Sequence, residues 1–79
     1  MQPIKHANQV GATLQARRKA LELSQTEVAE RLGLSQNRLS ELERAPQTLT
    51  VDQLLALINL LGLELHIQEK SASTNKVEW

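Results

Sequence analysis

Gln36, Asn37, Ser40, Glu41 and Arg44 stand at i, i+1, i+4, i+5 and i+8. On a helix that spacing makes one outward polar stripe. Each of its two amides presents a donor beside an acceptor, which suits the N6 and N7 edge of adenine at about 1–3 kcal/mol of discrimination per good pair. Glu41 can accept from cytosine N4 one turn further along, and Ser35 and Arg38 flank the stripe where phosphates would lie. Covalent chemistry has no such support. The serines have no neighbouring histidine and the carboxylates fall on helix exteriors, so no nucleophile, base and orienting group come together and no enzyme is expected.

The elements that must hold this stripe are written in the twenty residues SQTEVAERLGLSQNRLSELE, Ser24 to Glu43. Ser24 with Glu27 three residues on is a capping box, in which hydroxyl and carboxylate each satisfy a backbone N–H left unpaired at a helix start. Val28, Ala29 and Leu32 then share a face. Gly33 sits where a helix stops in a left-handed residue, and Ser35 caps a second helix after Leu34 alone. That helix turns Leu39 and Leu42 inward beneath the polar stripe, and a helix so built can lie in a DNA major groove. Taken alone, the pattern also suits any small helical bundle.

Upstream, residues 1–7 lack periodicity and contain Pro3, so they read as a loose arm. A first helix is predicted from about Asn8 to Leu21, with Val10, Leu14 and Leu21 inward and Arg17, Arg18 and Lys19 near its C-terminal end, where cations suit the macrodipole. Downstream of a turn at Ala45 and Pro46, Thr50 and Gln53 form another capping box. Leu54, Leu55, Leu57, Ile58, Leu60 and Leu61 make that helix apolar over more than one face. Gly62 ends it. Leu63, Leu65 and Ile67 then alternate with Glu64, His66 and Gln68, the period of a half-buried strand. A lone strand needs an edge to pair with, and the same strand of a twofold copy supplies one, so Leu63, Leu65 and Ile67 are expected to form a homodimer interface. Residues 8–68 thus read as one DNA-binding and dimerisation domain, and polar residues 69–79 as a tail without periodicity.

Length and composition agree with a partner-dependent domain. A core in a 79-residue chain usually supplies only about 3–5 kcal/mol unless a disulfide, metal or partner adds to it. Cysteine is absent, and His6 and His66 lie far apart without clustered carboxylates, so neither a disulfide nor a metal is expected. The net charge is zero, but it divides unevenly. Residues 1–44 hold Lys5, Arg17, Arg18, Lys19, Arg31, Arg38 and Arg44 against Glu22, Glu27, Glu30, Glu41 and Glu43. The remainder holds Lys70 and Lys76 against Asp52, Glu64, Glu69 and Glu78. The excess on the first part is small, so phosphate contacts per subunit should be few and affinity should come from pairing subunits. The longest apolar run, Leu54 to Leu63, is interrupted by Asn59 and falls short of the roughly 20 residues a bilayer requires. With no signal peptide visible, a cytoplasmic protein without membrane contact is expected.

Over residues 10–61 the chain resembles the Cro/repressor-type helix-turn-helix family. It is similar in particular to the HipB-like antitoxins encoded beside HipA-type serine/threonine kinase toxins. The segments RRKALELSQTEVAERLGLSQNRLSELER and TVDQLLALINLLGLELHI carry the likeness, with a tail ending in VEW. The resemblance implies an all-α, lambda-repressor-like bundle of four to five helices, with a C-terminal β-strand forming an intersubunit two-stranded ribbon. It implies that Gln25 holds a phosphate at a helix N-terminus, that Gln36 and Asn37 read bases, and that Arg18 of the first helix bridges Glu43 of the third. It further implies repression of a toxin-antitoxin operon through an inverted-repeat operator, with no cofactor and with the kinase toxin as partner. Trp79, the only aromatic residue, is either a dangling end or an anchor for a partner's pocket; in the HipB-like reading that pocket belongs to the toxin. Glu22 and Ala45 depart from the glycine or asparagine, and the glycine, common at those two turns. A stand-alone repressor and a protein-interaction adaptor on the same fold are the alternative functions.

Overall fold

The structure, a computed structural model, describes residues 3–70. The chain folds as α1 (Ala7–Ala20), α2 (Gln25–Leu32), α3 (Gln36–Arg44), a 3-10 turn (Pro46–Thr48) and α4 (Val51–Leu60). The starts follow local chemistry. Ser24, Ser35 and Thr50 accept at Oγ or Oγ1 from the backbone N–H of Glu27, Arg38 and Gln53, each at 3.0 Å. The Glu27 and Gln53 side chains return the bond to Ser24 and Thr50. The Ser24 backbone N–H, then its hydroxyl, hold the Glu27 carboxyl below its ordinary value. A depressed carboxylate stabilises above its unfolded value, and that contribution is lost as the pH falls through the folded one.

Three helices close in the same way. After α1, α2 and α4, the N–H groups of Leu23, Leu34 and Leu63 reach back to the carbonyls of Arg18, Ala29 and Ile58. The residue before each lies in the left-handed region: Glu22 at φ 60°, Gly33 at 72° and Gly62 at 71°. Glycine takes this conformation freely, whereas a side chain there meets the following carbonyl. Glu22 therefore carries strain that the other two turns avoid. Glu22→Gly is expected to stabilise the fold by about 0.5–1 kcal/mol, a rise of roughly 2–8 °C in Tm by circular dichroism. An unchanged or lower Tm would refute the strain. At Ala45, φ is −129°, so that turn has no need of glycine.

The core is made by Leu14, Val28, Ala29, Leu39, Leu57, Ile58 and Leu61, with Val10, Leu23, Leu32, Leu34, Leu49, Leu54, Leu60 and Leu63 packed around it. Leu42 is fully buried as well. Leu21, expected inward, is instead 40% exposed: α1 ends at Ala20, and the reversal at Glu22 hands the inward position to Leu23.

The expected C-terminal strand is the other difference. No β-strand occurs among the described residues, and Leu63–Gln68 carry no regular structure. A ladder needs a second edge, and the single chain provides none. Leu63 is half-buried, Leu65 is 48% exposed and Ile67 91% exposed. The ribbon is thus not formed within one chain. Tail residues 71–79, including Trp79, lie outside the described residues.

Candidate nucleic-acid interface

Helices α2 and α3 pack through the Gly33 turn, and this short link turns one face of α3 outward. Gln36, Asn37 and Glu41 are exposed, and Ser40 and Arg38 are half-exposed. Leu39 and Leu42 on the opposite side are fully buried. The 3.6-residue period therefore places the stripe on the surface as the sequence predicts.

Beneath it, Arg18 and Glu43 form a buried pair with 9% and 6% side-chain exposure. Arg18 Nε donates to Glu43 Oε2 at 2.7 Å, Nη2 to Oε1 at 3.2 Å, and Nη1 to the Leu23 carbonyl at 2.9 Å. One guanidinium thus ties α1 to the end of α3 and to the turn before α2. Such bidentate geometry is what holds an arginine–carboxylate pair away from water.

Gln25 is drawn into this pair. Its Nε2 donates to Glu43 Oε1 at 3.0 Å, and its Oε1 accepts from Gln36 Nε2. The polarity follows from the carboxylate, which can only accept. Gln25 must turn its NH2 towards Glu43, so its oxygen faces Gln36, and Gln36 must offer its own NH2 in return. What Gln36 has left, a second N–H and its carbonyl, is the pair of groups that an adenine edge takes. Gln25 is half-buried and braces the Gln36 side chain.

The remaining candidates are partly engaged within the protein. Ser35 Oγ is the cap of α3. Arg38 Nη1 donates to Glu41 Oε1 at 2.7 Å, with side chains 35% and 52% exposed. An exposed i, i+3 pair contributes at most about 1 kcal/mol, so it leaves both side chains free to take other partners at little cost. Asn37 is exposed next to Gln36 at the start of α3, where both amides are presented together.

The roles of two residues escaped the sequence reading. Arg17 donates from Nε to the Leu61 carbonyl at 2.8 Å, giving α4 the cation that its own last turn lacks. The missing cation was the available signal, but the helix that would supply it was not. Gly11 is buried within α1, against the Glu43 carbonyl and the Pro46 ring. A glycine inside a helix, where alanine would be favoured, was its signal. Arg17, Arg18 and Lys19 thus divide: the first two serve the fold and Lys19 is exposed.

A bundle that carries a capped, outward amide-bearing helix across a glycine turn defines the class of helix-turn-helix proteins. A family model for the helix-turn-helix matches residues 14–67, and the chain belongs to the Cro/C1-type helix-turn-helix family, whose members are DNA-binding regulators and typically not enzymes. No match was found among curated proteins or among solved structures. No helix of the described residues is long and apolar enough to cross a membrane.

Proposed function

We propose that this regulator acts as a homodimer on an inverted-repeat operator, repressing a toxin-antitoxin operon, and that a HipA-type kinase toxin is its further partner. The observation that carries the DNA part is the bracing of Gln36. Its amide is held by Gln25 with one donor and one acceptor left outward, beside an exposed Asn37. In a dimer, two copies of α3 would enter successive major grooves about 34–36 Å apart. Support for pairing comes from exposed apolar side chains at Val51, Leu55, Leu65 and Ile67, which a second copy could cover. The toxin partner rests on the likeness of TVDQLLALINLLGLELHI and the VEW ending to the HipB-like branch.

Base and phosphate contacts are separable by mutation. Gln36→Ala or Asn37→Ala should relax sequence preference at one position by roughly 10- to 100-fold. Arg38→Ala should weaken binding to all sequences alike and flatten the salt dependence by about one phosphate. Gel shifts over a salt series, with operator variants, check both; identical behaviour of the two kinds of variant would overturn the division. A shift with the DNA upstream of its own gene separates a regulator from an adaptor, and pull-down of the neighbouring gene's product separates an antitoxin from a stand-alone repressor. Removing Val77–Trp79 should weaken toxin association and leave operator binding intact; equal toxin affinity would remove Trp79 as the anchor.

A further inference from the structure

We infer that the 63–67 segment is self-complementary about Leu65, pairing antiparallel with a second copy so that Leu65 meets Leu65, Leu63 meets Ile67, and Glu64 meets His66. This rests on the homodimer reading and assigns its register. Alternation divides the segment into two faces. In one chain, where the segment is not extended as a strand, Leu63, Glu64 and Leu65 all line a groove of about 330 Å³ with Val10, Leu54 and Ile58, and the Glu64 and His66 side chains meet at 3.0 Å; extension in a ribbon is what would sort odd from even residues. Pairings that set an even-numbered residue opposite an odd one would turn apolar side chains to water and are excluded by the two-residue period.

Among the remaining registers, cross-strand chemistry chooses. Centring on residue 64 sets Glu64 directly against Glu64, and like charges opposite each other destabilise. Centring on 66 sets Leu63 against Glu69. Centring on 67 sets Leu65 against Glu69, and centring on 63 sets Ile67 against Asn59, inside α4. Only a centre at Leu65 matches apolar with apolar and carboxylate with imidazole throughout. It also gives Ile67, 91% exposed in one chain, an apolar neighbour in Leu63 of the second copy, which lines the groove. The outer face then carries two Glu64–His66 contacts across the ribbon in addition to those within each strand.

The absence of cysteine makes the register directly testable by introduced thiols under mild oxidation. Residues directly opposite have Cβ atoms about 4.5–5.5 Å apart, close to disulfide range, whereas Leu63 and its own copy would be separated by four residues, roughly 13 Å. Leu65→Cys should therefore give a covalent dimer. Leu63→Cys and Ile67→Cys should each stay uncrosslinked alone and join when the two variants are mixed. Independently, His66→Glu should weaken dimerisation roughly 3- to 30-fold by placing carboxylates opposite each other, and adding Glu64→Lys should restore it. Cross-linking of mixed 63/65 or 65/67 variants in place of this pattern, or failure of the charge swap to rescue, overturns the register and leaves the dimer standing. A monomer by sedimentation at micromolar concentration overturns both.

Discussion

Replacing Glu43 with alanine is expected to leave the chain largely unfolded at 25 °C. The substitution strands the Arg18 guanidinium, whose side chain is 9% exposed, with only the Leu23 carbonyl as acceptor. Removing one partner of a buried pair costs about 3–5 kcal/mol, as much as a core of this size usually supplies in total. Gln25 loses its acceptor at the same time, so any folded remnant would present Gln36 without its fixed polarity. The far-ultraviolet helical signal and its thermal melt measure the effect. The double variant Arg18→Met with Glu43→Leu removes both charges together, and it should recover most of the lost stability, because replacing a buried pair by apolar groups is often neutral or better. Its DNA specificity should stay impaired, since leucine offers Gln25 nothing to accept its N–H. A cooperative, near-native melt for Glu43→Ala would show that the pair is dispensable to the fold.

Gly11→Ala should also destabilise, by about 1–3 kcal/mol, although alanine is favoured over glycine in a helix by about 1 kcal/mol. A Cβ on residue 11 would run into the Glu43 carbonyl oxygen, with Pro46 Cγ and Cδ behind it at 3.1 and 3.3 Å. Neither neighbour is the loose end of a long side chain. One is backbone at the end of α3 and the other is a ring locked at its own φ, so relief requires α3 to move relative to α1. That movement would carry Glu43 away from Arg18, linking the steric cost to the ion pair. Urea denaturation checks the direction: a midpoint above that of the parent would mean that α1 and α3 tolerate a methyl group between them. A loss of operator affinity greater than the loss of folded protein is expected as well, because the same shift moves the base of the recognition stripe.

These two positions show where reading along the chain stops. The starts of α2, α3 and α4 and the stops at Gly33 and Gly62 were legible because each is decided within a few residues: a hydroxyl reaching the third N–H onward, or a backbone needing φ above zero. The outward face of α3 was legible for a similar reason, since the phase of a helix is set once its first residue is known. The inward placement of Leu21 was misread by the same local logic, because periodicity continues in a sequence past the point where a left-handed Glu22 ends the helix. The ribbon was inferred from alternation, and one chain cannot complete it.

By itself, then, the sequence determined where α2, α3 and α4 begin, where glycine stops α2 and α4, and which polar side chains of α3 share a surface, because those are interactions between near neighbours along the backbone. Only the tertiary structure decided that Arg17 closes α4 across 44 residues, that Gly11 is the hollow into which the end of α3 fits, and that Gln25 fixes the polarity of Gln36. Each of these depends on two helices meeting at one angle and separation. That geometry is chosen by the whole core at once and is encoded in no single stretch of residues.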